Sequence, residues 1–172
     1  MMKLSALKYF LLFLAQVAVW NYFNFSQYIF LVFLPALILC LPLEYGPIRT
    51  MIIAFLTGLA ADFLVTGQLG MAAFALVPVA LMRRSVIRLV FGSELYARGE
   101  ELSFHRQGWQ KFLFCLVILT SVYLVLHLWL DGAGMYSLGF NALKFGISLL
   151  VSSAVSMAIA YLMLEETGER WR

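Results

Sequence analysis

Long apolar stretches follow one another along this chain with only short polar gaps, and that succession restricts the fold more than any single residue does. A helix that crosses a bilayer needs about 20 mainly apolar residues, and it is favoured there because it satisfies its backbone N–H and C=O groups internally. Six stretches are candidates: Leu4–Tyr22, Gln27–Leu43, Ile48–Val65, Leu69–Met82, Lys111–Leu130 and Leu138–Leu164. Of the 172 residues, 63% are hydrophobic and 12% charged, whereas an ordinary soluble domain carries about 25% charged residues. A soluble domain of this size still exposes about a third of its unfolded-chain surface, so lipid must be the solvent for most of these side chains. The sequence therefore reads as an all-α polytopic membrane protein, a single transmembrane domain over residues 1–172 with six transmembrane helices. The fourth stretch is the shortest and can run on past Arg83, its arginines reaching to the headgroups. The sixth is long enough to tilt.

Charge sets the expected topology. With the N-terminus in the cytoplasm, 11 of the 12 Lys and Arg residues fall on the cytoplasmic side, and Lys144 lies outside. Lys and Arg gather on the inner side of membrane proteins, so both termini are expected inside. The net charge of +3 follows from the same bias and does not call for nucleic acid. The opening run, with Lys3 and Lys8 before its apolar residues, reads as a retained first helix rather than a cleaved leader. The segment from about 83 to 110 is expected to be cytoplasmic and amphipathic. Arg84 and Arg88 share a helical face there, with Val86, Leu89 and Val90 towards the other side. It serves either to anchor the chain at the lipid headgroups or to dock a partner.

Small and polar residues then mark packing faces, because lipid gives helices little hydrophobic reason to associate. Ala54 and Gly58 are four apart, with Asp62 following on the same face; Ser148, Ser152, Ser156 and Ala160 repeat at the same spacing. Pro35 and Pro78 are expected to kink the spans that hold them, while Pro42 and Pro47 bracket a tight turn.

Asp62 is the one carboxylate in the run Phe55–Phe74. An intramembrane acid is expensive and marks a functional position by default. At 1.5 Å per residue it lies about 21 Å beyond Ile48, in the outer half of a hydrocarbon core about 30 Å thick. Serines of the sixth helix or Lys144 are its candidate partners. His105 and His127 fall on opposite sides of the membrane in this topology and cannot share a site, and Cys40 and Cys115 lie within apolar runs. No nucleophile and base stand at a recognisable spacing, and no metal or phosphate motif occurs, so neither enzymatic activity nor a cofactor is expected.

The pattern "LPLEYGPIRT" followed by "AFLTGLAADFLVTGQLGMAAFALVPVALMRR" has Gly58, Asp62 four residues on, Leu69-Gly70, and a helix ending in Arg83-Arg84. It resembles the bacterial rod shape-determining MreD family over about forty residues, and the length and six-span plan are similar too. The resemblance implies a non-catalytic component of the cell-elongation complex in the inner membrane. Its implied partners are MreC, the MreB filament, RodA and penicillin-binding protein 2. It also implies a fold similar to the S components of energy-coupling-factor transporters. Gly58, Asp62 and Gly70 are the family-like positions, and Arg83, Arg84 and Arg88 are the candidate docking residues. The alternative is an S component itself, binding a vitamin or metal. Against it, the first helix has Ala15 and Ala18 three apart, where the docking motif of those proteins has two alanines four apart.

Overall fold

The computed structural model describes residues 2–22, 30–65, 69–92, 108–132 and 138–168. These form six helices: α1 (Met2–Tyr22), α2 (Leu34–Leu39), α3 (Pro47–Val65), α4 (Met71–Phe91), α5 (Trp109–Gly132) and α6 (Leu138–Gly168). No strand occurs among the described residues.

Among the described residues, three helices are long and apolar enough to cross a membrane, Pro47–Val65, Trp109–Asp131 and Gly139–Met163. Their outer faces agree with lipid as solvent: Phe63, Trp129 and Leu150 are each more than 70% exposed. Exposed apolar surface on this scale is rare on soluble monomers.

The helices pack in a ring. Contacts run from α1 to α3, α3 to α4, α4 to α5, α5 to α6, and α6 back to α1. The short helix α2 sits inside, touching α1, α4, α5 and α6, with all its side chains buried. It is apolar all round, as a helix surrounded by others must be.

The second span differs most from its sequence expectation. A continuous helix over Gln27–Leu43 is expected, but among the described residues of that stretch the chain is non-helical from Phe30 to Phe33 and helical from Leu34 to Leu39. Pro35 does not kink a long helix; it sits in the first turn of a short one, where its missing N–H costs nothing. Pro47 opens α3, and Pro78 lies within α4. α4 is longer than the expected Leu69–Met82 and runs unbroken to Phe91. Residues 83–91 are therefore the end of a packed helix and do not begin a separate surface segment. The rest of the stretch expected to be cytoplasmic, residues 93–107 with His105, lies outside the described residues, as does Gly67.

Candidate functional site

Two polar joints, a buried arginine and one aromatic cluster carry much of the buried polarity among the described residues. The first joint binds α3 to α4. Helix α4 begins after Gly70, whose φ of 110° is open to glycine and strained for other residues. Gly70 has no side chain with which to cap the first-turn amides. Asp62, two turns back on α3, does so from across the joint. Its Oδ2 accepts from the amides of Gly70 (3.0 Å), Ala72 (2.9 Å) and Ala73 (3.4 Å), and its Oδ1 accepts from Ala72 (3.0 Å). A carboxylate at a helix N-terminus also meets the positive end of the macrodipole. Asp62 is 1% exposed, so these amides replace the water that the acid has lost.

One turn before Asp62, Gly58 makes the approach possible. A Cβ placed there would lie 2.4 Å from Ala73 Cα and 2.6 Å from Ala73 N, so the two helix backbones touch at this point. Gly58, Asp62 and Gly70 therefore form one structural unit. Asp62 bonds neither Lys144 nor the α6 serines in these contacts. Lys144 instead pairs with Asp131 at 3.0 Å near the end of α5, and the serines are engaged elsewhere.

At the other end of α4, Arg83 is only 4% exposed. Its Nε and Nη2 donate to the Leu39 carbonyl at 3.3 and 3.2 Å, and Nη2 also donates to the Leu41 carbonyl. It thus serves the C-terminal end of α2, where carbonyls lack intrahelical partners and the dipole favours a cation. This corrects its expected place at the headgroups beside Arg84 and Arg88: those two are exposed, and Arg83 faces inward. Leu89, expected on the apolar side of that segment, is 77% exposed, while Val86 and Ile87 are buried.

The second joint holds the non-helical segment before α2. Phe30 N donates to Ser148 Oγ at 2.9 Å, and Val32 N donates to Ser152 Oγ at 3.0 Å. Ser152 Oγ donates to the Phe30 carbonyl at 3.2 Å, and Ser156 Oγ to the Val32 carbonyl at 3.5 Å. On the opposite side Gln16 accepts from Phe33 N (2.7 Å) and donates to the Leu31 carbonyl (3.2 Å), which Trp20 Nε1 also reaches (2.7 Å). The geometry is a match of periods. Serines four apart on a helix are spaced about 6 Å, and alternate residues of an extended chain about 6.6 Å. The serine row therefore acts as the neighbouring strand would. Non-helical backbone at membrane depth is tolerated only where protein or a water-lined cavity satisfies it.

The serine row was visible in the sequence as a packing face, but its hydrogen-bonding task was not. Gln16 and Trp20 carry a weaker sequence signal: a glutamine inside an apolar run, beside a stretch interrupted by Pro35.

His127, on α5, is buried and stacked against the segment that the serines hold. Its ring centroid lies 4.5 Å from Phe30, 5.5 Å from Tyr123 and 6.5 Å from Trp20. Cys40 and Cys115 are free thiols. A further tie joins α1 to α3: Tyr9 OH lies 2.9 Å from Thr57 Oγ1, which itself donates to the Ile53 carbonyl.

Together these features define an all-helical membrane protein whose described buried polar groups largely fix backbone geometry. Comparison with protein-family models, with curated proteins and with solved structures found no match.

Proposed function

We propose that this protein is a non-catalytic, multi-pass component of a bacterial cell-elongation complex in the inner membrane, of the MreD type. In this reading the chain crosses the membrane six times with both termini in the cytoplasm. α2 and its non-helical lead-in form the second crossing, and the fold is similar to that of S components. It works through contact with MreC, and with MreB, RodA and penicillin-binding protein 2 in the same assembly.

One observation carries the reading. The residues on which the resemblance rests, Gly58, Asp62 and Gly70, meet at a single helix joint where the acid binds backbone amides. That is the work of a scaffold whose shape is its function. The distribution of Lys and Arg supports the orientation.

Depletion in a rod-shaped host tests the proposal. Cells should round up, and tagged protein should co-purify MreC. Depleted cells that keep their shape but need an added vitamin would instead identify a transport S component.

A further inference from the structure

Among the described residues, three buried side-chain atoms have no hydrogen-bond partner: Thr120 Oγ1, Tyr123 OH and His127 Nδ1. All three side chains stand on α5, spaced three and four apart, so they share one stripe of the helix. Their exposures are 0%, 0% and 7%. Four residues further along the stripe is Asp131, paired with Lys144 and itself 45% exposed. From Asp131 to Thr120 the helix rises about 16 Å, roughly half of a hydrocarbon core about 30 Å thick.

An unpaired buried hydroxyl or imidazole nitrogen carries its full desolvation penalty, and nearly all such groups in folded proteins find a partner. One could be a local misfit; three in line over two turns make a lining. Their chemistry restricts the guest. Two hydroxyls that can both donate and accept, with one imidazole nitrogen, suit a small neutral molecule that also does both. The imidazole is already stacked on Phe30 and Tyr123, which leaves no slot for a planar guest between the rings. The nearby polar groups of Gln16 and Trp20 are engaged with Leu31 and Phe33.

We propose that this face of α5 lines an internal hydrated site. Water bound along the stripe to Thr120, Tyr123 and His127 extends from the Asp131–Lys144 end of the bundle into its buried interior. A buried water is stable with about two to four polar partners, and the unpartnered atoms of the stripe are the partners this proposal assigns to it. The site belongs to the fold and holds whichever complex the protein joins.

Radiolytic hydroxyl footprinting of the full chain in lipid nanodiscs tests this directly, because radicals formed from bound water label the side chains beside it. After correction for intrinsic reactivity, Tyr123 and His127 should be modified several-fold faster than Phe33 and Phe112, which are comparably buried. Equal, low labelling of all four overturns the proposal. Thermal unfolding of Tyr123→Phe gives a second reading. With water bound, loss of the hydroxyl lowers Tm by a few degrees, and its effect is not additive with that of Thr120→Val. A Tm that stays or rises means that the hydroxyl was dry, and overturns the proposal equally.

Discussion

Asp62, near the end of α3, holds the amide of Ala72, in the first turn of α4, with both carboxylate oxygens, at 3.0 and 2.9 Å. An N-cap normally comes from the residue that starts the helix. Here a different helix supplies it, so capping and helix packing become one interaction. Asp62→Ala would strand buried amides, each at about 1–3 kcal/mol. The expected loss of about 2–3 kcal/mol lowers Tm by roughly 4–12 °C for a chain of this size. Asp62→Asn keeps one acceptor oxygen and should fall between. Scanning fluorimetry in detergent checks both, and an unchanged Tm for Asp62→Ala would show the cap to be dispensable. If the proposed function holds, the same variant loses MreC on co-purification.

Gly58→Ala should be among the most damaging single-methyl changes in the chain. The added carbon meets α4 backbone, which cannot swing aside as a side chain could. Overpacking of this kind costs about 1–3 kcal/mol. Gly146→Ala, on α6, meets nothing within 4 Å and serves as the matched control. It should leave Tm unchanged or raise it.

The three arginines should separate cleanly. Arg83→Met removes a buried cation from the Leu39 and Leu41 carbonyls. Hydrogen bonds to charged groups contribute about 1.5–3 kcal/mol, so Tm should drop by several degrees. Arg84→Gln and Arg88→Gln alter exposed positions, where an ion pair contributes about 0–1 kcal/mol, so each should cost less than Arg83→Met. A triple replacement would hide this difference, so the single variants are the informative ones.

Ser152→Ala removes one acceptor and one donor from the non-helical segment. Amide hydrogen exchange at Val32, which donates to Ser152 Oγ, should accelerate by about tenfold, the equivalent of about 1.4 kcal/mol, and by more than at Phe30, whose amide donates to Ser148. Ser153→Ala, whose hydroxyl bonds only back to Leu150 in the contacts described, should leave those amides as they were.

Lys144→Met tests the reassignment of that lysine. The Lys144–Asp131 pair is partly exposed, and such pairs contribute about 0–1 kcal/mol. The effect should be small and additive with that of Asp62→Asn. Strong non-additivity would restore the Asp62–Lys144 contact that the structure does not contain.

Hydropathy and helical spacing determined much of this molecule in advance. The spans of α3, α5 and α6, the grouping of Gly58 with Asp62, and the serine row on α6 all follow from a chain that must bury apolar area in lipid at a 3.6-residue period. What the sequence could not contain was the identity of each polar group's partner. Asp62 had α6 serines or Lys144 to choose from, and the close contact at Gly58 brought the α4 amides within reach first. Arg83 and Arg84 are adjacent and chemically identical, yet one lies inside and the other out, because α4 continues as a helix and turns successive side chains about 100° apart. The second span reads as apolar throughout, and hydropathy does not distinguish a helix from a short helix with a non-helical lead-in. Only the meeting of α1 and α6 decides between them, since Gln16 on one side and Ser148, Ser152 and Ser156 on the other supply the hydrogen bonds that a non-helical chain in a membrane requires.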